Sequence, residues 1–393
     1  MKHYKYLIIG GGLAADAATR GIRELDPDGS IGLISMEKDP PYMRPNLSKG
    51  LWKGRPVEKI WRKTEERAEL ILGRKATALD VRKKSVEDDK GDKYTYDKLL
   101  LATGGSPIHL PFGEQNIIYY RDFQDYQNLR KMADEKDHFI VIGGGFIGSE
   151  IAAALTMVGK KVTMVFLEDA INGLVLPSDL AHHLNDFYRE KGVEVIPNDS
   201  VASVDKEGEH FTVRTKNGRV IETDGVVAGI GIRPNVELAE AAGLKVDNGI
   251  VVNEKLETSV EDIYATGDSV NFFHMALGKR TRVEHEDNAV KMGKLAGQNM
   301  AGGNEAYNHT PLFYSDLFEL GYEAVGETSS KMETVSDWHE QFQKGTIYYL
   351  DGGRVRGVVL WNFWKQVDNA RALMLERGPF KAEDLVGMIK VNE

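Results

Sequence analysis

The sequence predicts an α/β protein of two Rossmann-like dinucleotide-binding units, the second inserted into the first, followed by a small α+β domain. Three observations carry this expectation. Residues 6–15, YLIIGGGLAA, form a β-branched run that ends in glycines and passes into an alanine-rich helical pattern. Residues 139–148, FIVIGGGFIG, repeat the same arrangement. Each reads as strand, tight turn and helix N-terminus, the geometry that cradles a pyrophosphate. One glycine-rich turn is weak evidence; two in matching context are strong. Third, residues 263–268, IYATGD, read as a strand ending in glycine and a carboxylate, so the chain returns to its first unit after the second is complete.

Composition bounds the function. A chain of 393 residues is too long for one core and suits two or three domains. Its 41% hydrophobic and 28% charged residues are those of an ordinary globular protein. The longest apolar runs fall far short of the roughly 18 residues that a membrane-spanning helix needs. Met1 to Lys5 lead straight into the first strand, so no targeting segment is expected and the cytoplasm is the expected location. A formal net charge of −10 argues against a nucleic-acid partner, which needs clustered surplus cations. The chain has no cysteine. Structural disulfides, thiolate-bound zinc, iron–sulfur clusters and a redox-active thiol are thereby excluded.

Taken in order, residues 6–9 read as a buried strand. Gly10, Gly12 and Ala15 spell G-x-G-x-x-A, residues 14–25 continue as a helix, and residues 31–35 form the next strand. Glu37 follows that strand by two residues, near the place where such units put a carboxylate on the ribose hydroxyls. Residues 40–49, PPYMRPNLSK, make a rigid loop with two cations, Arg44 and Lys49, which read either as solvated charges or as ligand groups. Residues 52–67 are rich in Lys and Arg, with Trp52 and Trp61 among them, and read as a solvated face or a docking patch. Short strands lead to Ala102, Thr103 and Gly104.

In the second unit Gly143, Gly145 and Gly148 supply the fingerprint, residues 151–158 the helix and residues 161–166 the next strand. Glu168 lies about 20 residues past the last glycine, the usual ribose position. No Lys or Arg occurs between Phe166 and Leu180, so a 2′-phosphate would meet a carboxylate and no cation. NAD(H) is therefore expected over NADP(H). The unit closes on a glycine-rich hinge containing Gly231. Residues 282–287, RVEHED, open a helical run over 289–300, and His285 taken alone reads as structural or as catalytic. Residues 311–393 alternate apolar and polar residues and are expected to form a β-rich domain with terminal helices, held by Trp361 and Trp364. The first unit is expected over residues 1–115 and 236–310, the second over 116–235.

In this order the motifs resemble those of the two-dinucleotide-fold flavoprotein reductases, over nearly the whole chain. The most similar branch is that of apoptosis-inducing factor, with ferredoxin and rubredoxin reductases next. The most specific pieces are residues 41–49, 143–150, Phe166 with Glu168, residues 282–285, Ser315-Asp316, residues 321–324 and residues 359–362. The resemblance implies FAD at the first turn (Gly10, Gly12, Ala15) and NADH at the second. It implies Asp268 on the ribityl chain, Arg44 and Lys49 as cations of the FAD loop, and Lys49 paired with Glu150 beside the isoalloxazine. Phe146 matches the aromatic against the nicotinamide, and Glu284 with His285 the pair at the flavin–nicotinamide junction. Tyr314 stands where that branch has tryptophan, and Glu286 where it has a second histidine. The acidic charge and compact C-terminal part give no reason to carry over DNA binding or cell-death signalling.

The expected function is an FAD-dependent NADH oxidoreductase that passes electrons to an external acceptor: a ferredoxin- or rubredoxin-type protein, a quinone or oxygen. With no cysteine in the loop at residues 44–49, a disulfide reductase is excluded. The other reading is an NADH-responsive sensor in which a long-lived flavin–NAD complex alters conformation or dimerisation. A monomer or a redox-dependent homodimer fits these readings.

Overall fold

The structure is a computed structural model that describes residues 1–390 and divides into two compact units. The first comprises Met1–Arg44, Pro56–Ser106 and Arg233–Pro311. The second comprises Pro45–Arg55, Pro107–Ile232 and the described residues from Leu312 onward.

The first unit is built on a seven-stranded sheet. Parallel strands run in the spatial order Glu69–Leu72, Ile31–Ser35, Lys2–Ile9, Lys93–Leu101 and Ile263–Ala265. A hairpin, Ala76–Asp80 with Ser85–Asp88, adds to the early part of Lys93–Leu101 in antiparallel sense. Leu7, Ile8, Leu33 and Leu99 to Leu101 are almost wholly buried, as central parallel strands covered on both faces must be. The helix Leu13–Leu25 packs on the helix Glu286–Met300 at very short range. A Cβ added at Gly293 or Gly297 would collide with the backbone carbonyls of Ala14 or Ala18, so glycine permits the crossing.

The second unit contains a five-stranded parallel sheet in the order Glu194–Ile196, Lys161–Val165, His138–Ile142, Gly225–Ala228, Ile118–Tyr119. A capping box, Asp122 with Asp125, starts the helix Phe123–Glu135. An antiparallel meander, Val201–Glu207, His210–Thr215 and Val220–Thr223, follows. The C-terminal part is a five-stranded antiparallel sheet, ordered Leu312–Leu317, Leu320–Gly326, Arg354–Trp361, Lys344–Asp351, Glu333–Glu340. Two helices, Val367–Leu375 and Ala382–Leu385, complete it.

Several boundaries differ from the sequence reading. The first strand begins at Lys2, because Lys2 to Tyr4 extend the pairing against Tyr94 to Tyr96. The second dinucleotide helix begins at Phe146, directly after the glycine turn, which places Glu150 just beyond its first turn. The late helix begins at Glu286, with His285 as its N-cap. Trp361 is buried, stacks on Tyr322 with centroids 5.7 Å apart, and donates its Nε1–H to the Phe342 carbonyl at 2.8 Å. Trp364, expected beside it in the core, is 43% exposed. The strand ends at Trp361, and Trp364 lies in the turn beyond it, between the left-handed residues Asn362 (φ 50°) and Lys365 (φ 67°).

Candidate functional site

In the first unit the glycine turn forces two chain segments together. Gly10 has φ 121°, and a Cβ there would strike the Ala102 carbonyl oxygen. Gly12 is the N-cap of Leu13–Leu25, has no side-chain cap, and would present a Cβ to open space. The first N–H groups of that helix are thus left to a ligand, with the positive end of its dipole behind them. Ala15 is fully buried against the sheet. Asn235, which the sequence reading did not single out, pins Thr103 and Gly104. Its Nδ2 donates to the Thr103 carbonyl (2.9 Å) and its backbone N–H to that of Gly104 (2.9 Å). Thr103 Oγ1 returns a hydrogen bond to the Asn235 carbonyl at 2.6 Å.

Just beyond the strand Ile31–Ser35, the Glu37 carboxylate accepts from Tyr42 Oη at 2.6 Å and from Arg44 Nη2 at 2.6 Å. Asp268 lies on the turn Gly267–Ser269 that follows Ile263–Ala265. On either side of it, Thr266 Oγ1 and Ser269 Oγ are buried without a partner among the described residues. Arg282 donates to the Asp268 carbonyl at 3.2 Å and pairs with Glu284. Although His285 keeps some exposure, the protein packed around its ring disfavours the charged form. Its pKa falls to about 4, against the opposing pull of Asp268 and Asp287.

The basic stretch resolves into neither of its two readings as a whole. Arg62 and Arg67 reach inward, with Arg20 and Thr64, to the fully buried Asp16. Lys59 and Lys63 are exposed.

In the second unit Gly143 has φ 109°, and a Cβ at Gly148 would collide with the Gly143 carbonyl. Gly145 repeats the features of Gly12: an N-cap with no side-chain cap and open space over its Cα. Phe146 opens the helix and meets Phe313 edge-on at 5.6 Å. Glu168 follows the strand Lys161–Val165, half-buried, with its carbonyl bonded to the Asn198 N–H. Gly231 adopts φ 101° on the hinge.

Glu150 is 3% exposed and its carboxylate accepts hydrogen bonds at both oxygens. Oε2 accepts from Lys49 Nζ at 2.7 Å and from Ser48 Oγ at 2.6 Å, while Oε1 accepts from Ser315 Oγ at 2.7 Å. The Lys49 ammonium also lies 5.1 Å from the centroid of the Tyr314 ring, a cation–π distance. The loop carrying Lys49 is anchored by Trp52 Nε1 and Tyr120 Oη, both donating to the Leu47 carbonyl. Burial, with the Glu150 charge adding to it, drives Tyr188 and Tyr322 well above the usual phenol range. The sequence does not mark Ser48 and Ser315 as partners of Glu150, although both sit in motifs named above. Hydroxyls are too common for position alone to mark them.

These residues fit the two groups the fold implies. Each glycine turn leaves uncapped N–H groups beneath open space, as a pyrophosphate requires. The orphaned hydroxyls of Thr266 and Ser269 offer polar contacts beside Asp268, as a polyhydroxyl chain requires.

Residues 4–293 match the family model described as pyridine nucleotide-disulphide oxidoreductase. The chain belongs to that family. Residues 296–339 match the C-terminal model of mitochondrion-associated apoptosis-inducing factor. The chain is 34% identical to apoptosis-inducing factor 1 of Dictyostelium discoideum, over 96% of this chain and 79% of that protein. It is 32% identical to the ferredoxin reductase subunit of 5,5′-dehydrodivanillate O-demethylase from a Sphingobium species, over 96% of this chain and 94% of the relative. Its fold superposes on the crystal structure of a covalent putidaredoxin reductase–putidaredoxin complex with a TM-score of 0.89 and 29% identity, covering 96% and 94% of the two chains. The protein is an NADH-dependent oxidoreductase with FAD as its cofactor. Within a family whose name includes disulphide chemistry, it has no cysteine with which to perform it.

Proposed function

We propose that the protein passes electrons from NADH, through FAD, to a separate small electron-transfer protein of the ferredoxin type. The observation that carries this is the pairing of part-buried Lys49 with buried Glu150 in a cysteine-free chain. Where a thiol would be needed to keep the electrons on the chain, the loop offers an ammonium held by a carboxylate. The reducing equivalents therefore leave the protein. Two similar proteins support this choice of acceptor, since one is named as a ferredoxin reductase subunit and the other was solved bound to putidaredoxin.

Bound FAD supplies the two-electron chemistry between nicotinamide and acceptor. The remaining roles fall to this chain's residues. Gly10, Gly12 and Ala15 seat the FAD pyrophosphate; Ala102, Thr103, Gly104 and Asp268 line its further length. Glu37 meets the adenosine ribose, and Arg44 keeps that carboxylate oriented. Gly143, Gly145 and Gly148 seat NADH, Gly231 gives its hinge, and Glu168 accepts from the ribose. Phe146 shields the nicotinamide face from water. Lys49 presents positive charge to the reduced cofactor, and Glu150 holds the ammonium in place. Glu284 accepts hydrogen bonds at the junction, while His285 contributes a neutral ring. The domain limits of the sequence reading, a cytoplasmic setting and a monomer or redox-dependent homodimer belong to the same proposal. The match to the apoptosis-inducing factor C-terminal model favours, as a second reading, an NADH-responsive sensor.

Donor choice tests the site assignment. NADPH should be weaker than NADH by tenfold or more in kcat/KM, because juxtaposed like charges cost on the order of a kcal/mol or more. Glu168→Arg should narrow or reverse that ratio. Equal kcat/KM for both donors in the unaltered protein would remove Glu168 from the ribose.

A further inference from the structure

We infer that Asn172 is an additional binding residue for the NADH dinucleotide. It lies past Glu168 in the segment after the strand Lys161–Val165, a segment the site description does not otherwise use. Its backbone N–H donates to the carbonyl of Gly144, the central residue of the second glycine turn, at 2.8 Å. Its own carbonyl accepts from the N–H groups of Val175 and Leu176. The residue is therefore pinned to the turn by its main chain.

Its side chain is treated differently. Asn172 is 3% exposed, yet neither Oδ1 nor Nδ2 has a partner among the described residues. A buried amide with both ends unmatched costs about 1–3 kcal/mol per unmatched group. The backbone does not require that side chain, since glycine would adopt its left-handed conformation (φ 54°) more readily. The amide of Asn185, by contrast, is satisfied: it bridges the Ile171 N–H and the Asp169 carbonyl across the same segment. An amide both unsatisfied and fastened to the turn that receives a pyrophosphate has a ready partner in the ligand's oxygens. Nδ2 can donate to a phosphate or ribose oxygen, and Oδ1 can accept from a hydroxyl. The inference rests on the second glycine turn being the NADH site.

The test is equilibrium binding of NAD⁺ to the oxidised FAD-loaded protein, with thermal melting of the same samples without NAD⁺. Three variants are compared: Asn172→Gly, Asn172→Asp and, as a control for the site, Gly145→Val. Asn172→Gly keeps the backbone and removes the amide; it should weaken NAD⁺ binding on the order of tenfold, the loss of one hydrogen bond to a charged group. It should not lower the melting temperature. Asn172→Asp keeps the shape but puts a negative charge beside the phosphates, so it should bind NAD⁺ more weakly still. A purely structural role predicts instead unchanged NAD⁺ affinity in Asn172→Gly, whatever Asn172→Asp does, because a carboxylate without partners at this buried position is disfavoured on its own account. Unchanged affinity in Asn172→Gly overturns the inference while Gly145→Val still abolishes binding. If Gly145→Val also leaves NAD⁺ affinity unchanged, the site assignment falls and the inference with it.

Discussion

At the scale of single residues, the Glu150 carboxylate sets the terms for its neighbours. A buried charge survives only when its partners are complete, and here an ammonium and two hydroxyls complete it. Removing Lys49 leaves that charge uncompensated, so Lys49→Ala should cost about 3–5 kcal/mol in stability. Glu150→Gln keeps the side-chain shape and one acceptor oxygen, removes the buried charge, and should cost less. The variant lacking both charges should be less impaired than the two single effects added together, since the residues touch. Urea unfolding of the four proteins gives this cycle, and strict additivity would show that the two residues do not act as a pair. In the first unit, His285 is a titrating group. Its folded pKa, about 4, lies below the ordinary 6.5, so between those values the unfolded chain binds the extra proton. Its contribution to stability is present above pH 6.5 and is lost as the pH falls toward 4. His285→Gln should flatten the decline in stability between pH 7 and pH 5; an unchanged slope would contradict the assignment. From the sequence, Lys49 and Glu150 could be paired only through resemblance, because more than a hundred positions separate them. The hydroxyls that finish the cluster carried no signal of their own.

At the scale of elements, the glycine turns and the strands around them were legible because each requirement is local. A β-branched run, a positive-φ glycine and an uncapped helix start follow one another within about ten residues. The contact between Leu13–Leu25 and Glu286–Met300 was not legible, although Gly293 and Gly297 are its signature. A glycine within a helical pattern signals close approach without naming the partner. Gly297→Val should destabilise the first unit by about 1–3 kcal/mol or more, because a side chain there meets backbone that cannot move aside. FAD retention should fall with it, since the displaced helix is the one that begins at Gly12. Retention of FAD equal to that of the unaltered protein after gel filtration would separate the crossing from the cofactor. The arginines of residues 52–67 illustrate the opposite limit. Charge density on its own could not reveal that Arg62 and Arg67 turn inward to Asp16, because the carboxylate lies far back in the sequence on another element. Trp364 differs for a related reason: it lies past the strand's end at Trp361, in a turn between two left-handed residues that an apolar pattern does not announce.

At the scale of the whole molecule, each unit carries one dinucleotide turn, and the chain as a whole carries no cysteine. The purified protein should therefore hold one FAD per chain, and its activity should resist thiol-alkylating reagents, measured by visible absorbance and by NADH oxidation after treatment. Electrons that enter from NADH have no internal disulfide to reduce and must go to another molecule. The most direct measurement is rapid mixing in two stages without oxygen: the FAD-loaded protein is reduced by one equivalent of NADH, then mixed with an oxidised [2Fe–2S] ferredoxin. Fast return of the oxidised flavin spectrum, matched by ferredoxin reduction, is the predicted result. A long-wavelength charge-transfer band that persists unchanged in the presence of the ferredoxin would contradict electron delivery to such a carrier.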